Sequence, residues 1–334
     1  MAIVVSKNSQ LNDNLWNEWS DQLIAVMQDT DTEKNNADEF VNAVFNVKKS
    51  TKFGEKATAL TEFADFEIVG EGQAAVQDDI QEGFSKLIEH QAFMKKFILT
   101  AEMAEDSAVD MMKAKAKNFV NSYKRSRAQY ASNALTSQAK TFTFGLKADL
   151  DSTTGDGEAL FSTAHKGKKS GVAAQSNVFT NAFGTDATML NKLANIGRNF
   201  KNSSGIAMGY TFDTIIIPSN VPELEDTIKK IIRSDLMVGS NYNDVNTQKG
   251  LWNLIVDPFW QVTDDSAPYI LMSSQANKEC LGNLFFDRIP LTMKDEVDID
   301  THNYIWSGRA RFSAGFSNWS HVILGGANEG TTLA

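Results

Sequence analysis

The sequence predicts an α+β fold that is built around one long helix. Residues 84–144 contain neither glycine nor proline, the residues that most often interrupt a helix. Residues 286–326 alternate apolar and polar side chains, as antiparallel strands do. Between these regions, residues 186–285 carry helical and strand patterns in succession over a normal domain length.

The N-terminal part of the chain carries an amphipathic helix pattern at residues 10–30. Its apolar positions share one broad face, and they are Leu15, Trp16, Trp19, Leu23, Ile24 and Met27. This face would dock on the core of the same chain, or the tryptophan pair would lie on a neighbouring subunit. The pattern alone leaves both alternatives open.

Two extended segments follow, with a polar, glycine-punctuated stretch between them. The apolar residues of the first are Phe63, Phe66, Ile68 and Val69, and those of the second are Phe93, Phe97, Ile98 and Leu99. Extended arms on either side of a polar middle predict a protruding hairpin or loop rather than a sheet of the core.

The long helix is predicted from Thr100 to about Ser137. Its small and apolar residues recur every three or four positions, at Ala108, Met112, Ala116, Phe119, Tyr123, Tyr130 and Ala134, and Arg127 interrupts the series. Thr100 suits the N-cap. A helix of that length would be on the order of 55 Å long, a beam of the kind common in shells and bundles.

The later turns of this helix are basic, with Lys113, Lys115, Lys117, Lys124, Arg125 and Arg127. Runs of like charge are usually exposed. We therefore expect this basic stripe to be a solvated face rather than a nucleic-acid contact.

After the helix, residues 145–186 predict an irregular surface excursion, and residues 186–285 a compact mixed domain. The elements predicted in that domain are a helix at 190–200, a buried strand at 212–217 that ends at Pro218, a helix capped by Asn220 with Pro222 in its first turn, and strands at 252–256, 259–262 and 269–273. We expect residues 286–326 to form long antiparallel strands that pack back onto the structure formed by the preceding residues.

Composition excludes several classes of protein. The 334 residues include one cysteine, Cys280, so no internal disulfide framework is possible. No apolar run is long enough to cross a bilayer, and the N-terminal apolar run is too short for a signal peptide. The net charge of −10 argues against a surface that binds phosphates along its whole face.

Two short motifs could carry chemistry. Residues 70–75 match the dinucleotide fingerprint G-x-G-x-x-A, with Glu89 at a suitable distance. The surrounding acids would repel a pyrophosphate, so we expect an acidic loop. Asp156, Ser162 and His165 have the residue types of a catalytic triad, but all three fall in one glycine-flanked loop. We expect hydrogen bonds within that loop, not catalysis.

The remaining reactive side chains are isolated in the sequence. His90, His302 and His321 have no paired cysteine or histidine at metal-ligand spacing, and we expect His321 to be a partly buried strand residue. Cys280 is expected to be a small core residue. Arg309 and Arg311 share one strand face, where they would pair with acids across an interface or lie solvated. We therefore assign no catalytic, cofactor-binding or metal-binding residue and expect no cofactor.

The order of these parts resembles the major capsid proteins of tailed bacteriophages, most closely the Mu-like major head subunit group. The motif that carries the resemblance comprises Asp156-Gly157, Leu160-Phe161-Ser162, His165 and Ser176-Asn177. The C-terminal segment from Arg309 through Gly325 is also similar to the strand pair that ends that family's proteins. The resemblance extends over essentially the whole chain, and it rests more on the order of the segments than on identical residues.

The resemblance implies the tailed-phage capsid fold, which encapsulins share. It implies an N-terminal arm at 1–49, an extended loop over a neighbour at 50–99, a peripheral domain with the spine helix at 100–185 and 286–334, and an axial domain at 186–285. Some members cross-link a lysine to an asparagine, and Lys48, Lys49, Lys52 and Lys56 lie near the relevant loop. Nothing in the sequence singles one of them out.

The function that the resemblance implies is a non-enzymatic shell protein. Copies would assemble as pentamers and hexamers into an icosahedral head around double-stranded DNA, in the host bacterial cytoplasm. The expected partners are a separate scaffold protein, a portal and possible decoration proteins, and no membrane. The alternatives are an encapsulin-type nanocompartment shell and, more distantly, a nucleotide-binding oxidoreductase that uses residues 70–75.

Overall fold

The computed structural model describes residues 4–6, 14–33, 35–60, 68–74, 82–106, 109–168, 171–202, 205–239, 244–263 and 266–333. The chain divides into two compact units. The first unit comprises Met1–Glu55, Ile88–Ala131 and Phe285–Ala314, and the second comprises Lys56–Leu87, Ser132–Leu284 and Gly315–Ala334. Both units are therefore assembled from separate stretches of sequence.

The chain contains both helices and strands. The helices are α1 (Asn14–Thr32), α2 (Asn36–Val44), α3 (Ala101–Glu105), α4 (Val109–Thr136), α5 (Thr188–Arg198), α6 (Pro222–Arg233) and α7 (Ser274–Glu279). The strands are β1 (Val4–Ser6), β2 (Asn46–Lys49), β3 (Gly54–Leu60), β4 (Glu82–Glu89), β5 (Gln91–Leu99), β6 (Thr141–Phe144), β7 (Lys147–Asp151), β8 (Thr214–Pro218), β9 (Asn253–Asp257), β10 (Tyr269–Met272), β11 (Asn283–Val297), β12 (Tyr304–Phe316) and β13 (Val322–Gly325).

The first unit is organised around a five-stranded sheet. Its strands lie in the order β1, β11, β12, β5, and β2 is a further partner of β11. Strands β12 and β5 are antiparallel, from Tyr304 opposite Leu99 to Phe312 opposite Gln91. The alternating C-terminal segment therefore supplies the two central strands of this sheet, in keeping with the long returning strands that the sequence predicts.

One face of this sheet packs against α1 and α4. The buried residues of this core are Leu23, Met27, Leu99, Met112, Ala116, Phe119, Val120, Leu291, Met293, Tyr304 and Trp306. Each large side chain buried there contributes roughly 1.5–3 kcal/mol. Since Leu23 and Met27 belong to this core, the N-terminal helix docks on its own chain. The side chains of Trp16 and Trp19 lie outside the described residues.

Lys124 on α4 holds the C-terminal end of α1. This lysine is only 2% exposed. Its Nζ atom donates to the backbone carbonyls of Thr30, Asp31 and Glu33 at 3.0, 2.8 and 2.7 Å. It also lies 3.4 Å from a carboxylate oxygen of Asp38. Because the last carbonyls of a helix form the negative end of its dipole, a cation is the favoured partner there.

Arg127, one helical turn further on, binds two carboxylates. Its Nη1 donates to Asp38 at 3.2 Å, and its Nη2 donates to Asp287 on β11 at 2.7 Å. Its guanidinium also lies over the ring of Phe285, 4.7 Å from the centroid. The expected solvated stripe is therefore wrong for Lys124 and Arg127, which are buried because each is paired, although it holds for exposed Arg125.

The long helix is shorter than the sequence predicts. Residues 101–105 form α3, Asp106 adopts a turn, and α4 begins at Val109, while residues 107 and 108 lie outside the described residues. Thr100 does accept a hydrogen bond from Met103 N at 3.4 Å, so it caps α3 rather than the long helix. The 28 residues of α4 span about 42 Å. The Asp side chain competes for backbone hydrogen bonds, which favours the turn at Asp106.

The predicted hairpin is only partly correct. Strands β3 and β4 form a two-stranded sheet, but residues 91–99 form β5 in the first unit's sheet. The extended loop therefore does not reach residue 99, because Phe93 stacks on Phe312 with ring centroids 3.9 Å apart. The pairing partner lies about two hundred residues away, so local sequence could not show it. Phe63 and Phe66 lie outside the described residues.

The second unit contains a four-stranded sheet in the order β13, β10, β8, β9. Strands β8 and β9 are parallel, and β10 is antiparallel to both β8 and β13. Helix α6 buries the stripe that the sequence predicts, namely Leu224, Ile228, Ile231 and Ile232. They share one core with residues of α5, β8 and β10.

Two local predictions in this unit are wrong. Asn220 does not cap α6; its side chain instead accepts from Val262 N at 3.0 Å and donates to Val262 O. Residues 259–262 form no strand, because Asp257 accepts hydrogen bonds from the backbone N–H groups of Phe259 and Trp260 and turns the chain away from the sheet.

The pairing of Lys124 gives the first testable prediction. Lys124→Met should lower the free energy of unfolding by about 3–5 kcal/mol, because it leaves the backbone carbonyls at the C-terminal end of α1 without their buried cation. Denaturant unfolding measures this change. Lys117→Met is the matched control on the same helix, since its pair with Glu33 is exposed and should cost at most about 1 kcal/mol. Equal effects of the two substitutions would contradict the anchoring role.

Candidate functional site

The motif at residues 154–165 forms a buried polar cluster in the second unit. His165 Nδ1 lies 2.8 Å from Asp156 Oδ2, and both side chains are almost fully buried. The other oxygen of Asp156 accepts hydrogen bonds from Thr154 Oγ1 and, at 3.1 Å, from Glu158 N. Gly157 adopts a φ of 81°, a conformation that glycine adopts without strain. The Asp-Gly pair is therefore needed for this turn.

Two residues tie this cluster to the C-terminal segment. His165 stacks on Trp319, with ring centroids 4.4 Å apart and planes 6° apart. Asn177 donates through Nδ2 to Leu160 O at 2.8 Å and to Val322 O at 3.3 Å, and accepts from Ser162 N at 3.0 Å. The cluster thus holds the irregular excursion against β13 of the same unit.

The three residues with triad side chains are not all joined in the cluster. Asp156 and His165 meet, but the Ser162 hydroxyl accepts from Ala164 N at 3.2 Å, and its described contacts do not include His165. Burial opposes ionisation of Asp156, but hydrogen bonds from His165 and Thr154 outweigh burial and hold the pKa of that carboxyl below its ordinary value. The expected loop network of hydrogen bonds is therefore present, and it is buried, although His165 Nε2 has no hydrogen-bond partner among the described residues.

The fingerprint at residues 70–75 lies in an exposed turn. Gly70 N donates to Gln73 Oε1 at 3.1 Å, and Gln73 N donates to Gly70 O at 3.1 Å. The described stretch 68–74 contains neither strand nor helix, and the residues on either side of it, 61–67 and 75–81, lie outside the described part of the chain. Ala75 lies outside the described residues, and Glu89 ends β4.

The isolated histidines and the cysteine take different positions. His321 is fully buried and its Nε2 lies 2.7 Å from Asn283 Oδ1, whereas His302 is exposed. Burial lowers the pKa of His321 to about 3. Cys280 is half-buried at the end of α7, 3.2 Å from Tyr210 Oη, so it is not the core residue that the sequence suggests.

The outer face of the first unit's sheet is open and basic. Met94 is 68% exposed on β5, where it lies opposite exposed Arg309 of β12. Lys96 and Ile98 share this face and are exposed as well. Arg311 is half-buried and donates to a backbone carbonyl at 3.4 Å. We call this surface the basic sheet face; an exposed apolar residue among cations is typical of a contact surface.

A second open surface follows α6 in the second unit. Its exposed apolar residues are Leu236, Met237, Val245 and Leu251, and we call it the 236–251 surface. Met237 N donates to Asp244 O at 2.9 Å. Asn246 Nδ2 donates to the carbonyls of Ile231 and Ser234 at 2.6 and 2.9 Å, which secures the surface to the end of α6. Ordered apolar residues left in solvent indicate an interaction site.

Among the described residues, no group of three or more His, Cys, Asp or Glu side chains is arranged to hold a metal ion. In that part of the chain, no helix is both long enough and apolar enough to span a bilayer.

Comparison with known proteins matches this architecture to one family. The profile of a family described as phage capsid protein matches residues 85–324. No curated protein sequence matches the chain.

Among solved structures, the chain is similar to the capsid of a native GTA particle, with a TM-score of 0.56 and 10% identity over 88% of this chain and 91% of that one. It is also similar to a structure from Gordonia phage Cozz, with a TM-score of 0.51 and 10% identity over 88% and 86% of the two chains. At such low identity the likeness shows the fold, and it confirms the capsid fold that the sequence predicts.

The burial of His321 gives a prediction of pH dependence. Its pKa is lowered in the folded chain, so between about pH 6.5 and pH 3 the unfolded chain binds a proton at this site and the folded chain does not. Stability is therefore lost as the pH falls through this window, by up to about 1.4 kcal/mol per pH unit. The variant His321→Gln should lack this contribution.

The measurement is the difference in free energy of unfolding between wild type and His321→Gln, followed from pH 6.5 to 4.5. His302→Asn is the control, because it removes an exposed histidine and should leave the pH profile of the wild type unchanged. A difference between wild type and His321→Gln that does not vary with pH would contradict the assignment of His321 as a buried neutral ring.

Proposed function

The chain belongs to the phage capsid protein family and is a major capsid shell protein, and we propose that its copies join through the basic sheet face and the 236–251 surface. The family match carries the function, because it covers 85–324 of the 334 residues. It favours a phage head over the encapsulin-type compartment that the sequence leaves open. The family is one of structural proteins, and we assign the chain no enzymatic role.

The proposed division of labour keeps the four segments that the sequence predicts, with one change. Residues 1–49 serve as the N-terminal arm, 100–185 and 286–334 as the peripheral domain with the spine helix, and 186–285 as the axial domain. We limit the extended loop to residues 54–89, since β5 belongs to the first unit's sheet. The Mu-like subgroup remains a proposal drawn from the 156–177 motif.

The loop and the basic sheet face are complementary in charge. Residues 57–85 contain seven acids and no base: Glu62, Asp65, Glu67, Glu71, Asp78, Asp79 and Glu82. Of the described residues in this stretch, Ile68 is fully exposed and Glu71 is exposed. An acidic loop with an apolar residue fits a face that offers Lys96, Arg309 and Met94. We propose that the loop of one copy lies on the basic sheet face of the next.

The 236–251 surface is proposed to join copies around the pentamer and hexamer centres. Its exposed apolar residues lie within the segment assigned to the axial domain. A shell needs only modest free energy from each such contact, because every subunit touches several neighbours at once.

The surroundings of the shell are also proposals. An acidic subunit, with a net charge of −10, would enclose double-stranded DNA without sequence-specific binding, since a negative surface repels phosphates. Assembly would take place in the host bacterial cytoplasm, with a separate scaffold protein, a portal and possible decoration proteins as partners.

Charge reversal tests the contact between loop and sheet face. The double variant Lys96→Glu, Arg309→Glu should lower the assembled fraction at least about tenfold, because like charges would then meet across the contact. Sedimentation velocity of the purified protein measures this fraction. Adding Glu67→Lys and Glu71→Lys in the loop should restore assembly, since the charges are then exchanged and complementary again.

The matched control is the double variant Arg125→Glu, Arg198→Glu, which changes the net charge equally at two exposed positions. It should assemble like the wild type. Failure of the four-residue charge exchange to restore assembly, in a chain that remains folded, would contradict the proposed contact.

A further inference from the structure

A buried polar cluster lies at the root of the β3–β4 hairpin, where the chain leaves and re-enters the first unit after Glu55 and before Ile88. His90, between β4 and β5, is its centre and is buried. His90 Nδ1 lies 2.8 Å from Ser313 Oγ, and its Nε2 lies 2.9 Å from Ser50 Oγ. Ser50 Oγ in turn donates to Glu55 Oε1 at 2.7 Å. We call these four residues the root cluster.

The hydrogen bonds of the root cluster fit only one arrangement of protons when His90 is neutral. Because the Ser50 hydroxyl gives its proton to Glu55, it must accept from His90 Nε2–H. His90 Nδ1 then has no proton and accepts from the Ser313 hydroxyl. A second proton on the ring would take the Nδ1 lone pair, and the Ser313 hydroxyl, which is itself buried, would lose its acceptor.

The root cluster also secures the backbone at both ends of the hairpin. Ser50 Oγ accepts from Lys52 N at 3.2 Å, and His90 N donates to Phe53 O at 3.4 Å. Two guanidiniums of the sheet add contacts: Arg288 donates to Lys52 O at 3.1 Å, and Arg311 donates to His90 O at 3.4 Å. These bonds all depend on the chain at Ser50 and His90 staying in place.

The charges around the ring oppose its protonation. Arg311 on β12 and Arg288 on β11 face it, and Glu55 on β3, the carboxylate that faces it among the described residues, also pairs with Lys52 at 3.7 Å. Burial and then Arg311 hold the pKa of His90 below its ordinary value, and Glu55 opposes them only in part. The aromatic ring of Phe286 covers another side, 6.0 Å away.

We infer that the root cluster is a protonation-sensitive clamp, which holds the start of β3 and the end of β4 while His90 is neutral and releases them when the ring gains a proton. The open root exposes the ring to water, where its pKa returns to about 6.5. Acid therefore favours the open root, and the ratio of open to closed rises up to about tenfold per pH unit below that value.

The consequence for the shell rests on the proposed role of the hairpin as the loop that contacts a neighbour. A loosened root would let that loop change direction without unfolding the sheet that carries it. The clamp itself does not depend on assembly, so a test on the unassembled chain separates a failure of this inference from a failure of the proposed function.

Hydrogen exchange of the full chain, kept below its assembly concentration, tests the clamp. Amides of residues 50–55 and 88–91 are followed from pH 7 to pH 5, with the intrinsic pH dependence of exchange removed. In the wild type, opening of these amides should increase up to about fivefold between pH 6.5 and 5.5, because at pH 6.5 half of the rings in the open root are already protonated. In His90→Gln it should stay constant, because the glutamine amide can donate to Ser50 and accept from Ser313 but does not titrate.

His302→Asn serves as the control and should behave as the wild type, since it removes an exposed histidine and asparagine tolerates the positive φ of 55° at that position. Should His90→Gln not fold, Ser313→Ala replaces it, and removal of the hydroxyl partner should increase opening at pH 7 and weaken its rise in acid. Parallel profiles for the wild type and His90→Gln, or an unchanged profile for Ser313→Ala, would overturn the inference.

Discussion

The pairing of two buried cations on α4 is the interaction on which the first unit depends. Lys124 holds the carbonyl end of α1, and Arg127 joins Asp38 to Asp287 on β11. A buried charge is stable only when it is paired, so the N-terminal helices and the returning strand both contribute to the packing of α4. The same contacts explain how α1, which is far in sequence from the central strands of the sheet, becomes part of the core on that sheet.

In the second unit, hydrogen bonds and a stacked ring stabilise buried polar groups, where the first unit uses buried cations. Asn177 and the Asp156–His165 pair satisfy the polar backbone of an irregular segment, and Trp319 covers the histidine. Without such partners, loop backbone of this kind could not be buried. In both units the C-terminal strands complete the core. This arrangement suits the proposed shell subunit, because the basic sheet face and the 236–251 surface are not needed for either core and are available to neighbouring copies.

The sequence alone predicted those elements whose apolar side chains repeat with the period of a helix or a strand. The apolar run of β8, the stripe and Pro222 of α6 and the alternation of the C-terminal strands all appear at the predicted positions. The sequence did not predict contacts whose partners lie far away along the chain. The alternation of β5 was visible, but its pairing with β12 was not; Arg127 interrupted an apolar stripe, yet its two carboxylates lie far away in sequence. For the candidate site, the sequence located Asp156, His165 and Asn177, whereas the stacking of Trp319 and the hydrogen-bond chain at His90 required the folded chain.

Electron microscopy of the purified protein, produced with and without the product of its upstream neighbour gene, tests the central claim most directly. The account predicts closed shells, or clusters with fivefold and sixfold arrangement, in at least one of the two preparations. The diameter of those shells would also distinguish a phage head from a small compartment. Discrete monomers or dimers alone in both preparations, from protein that is folded, would contradict the assignment of this chain as a self-assembling capsid subunit.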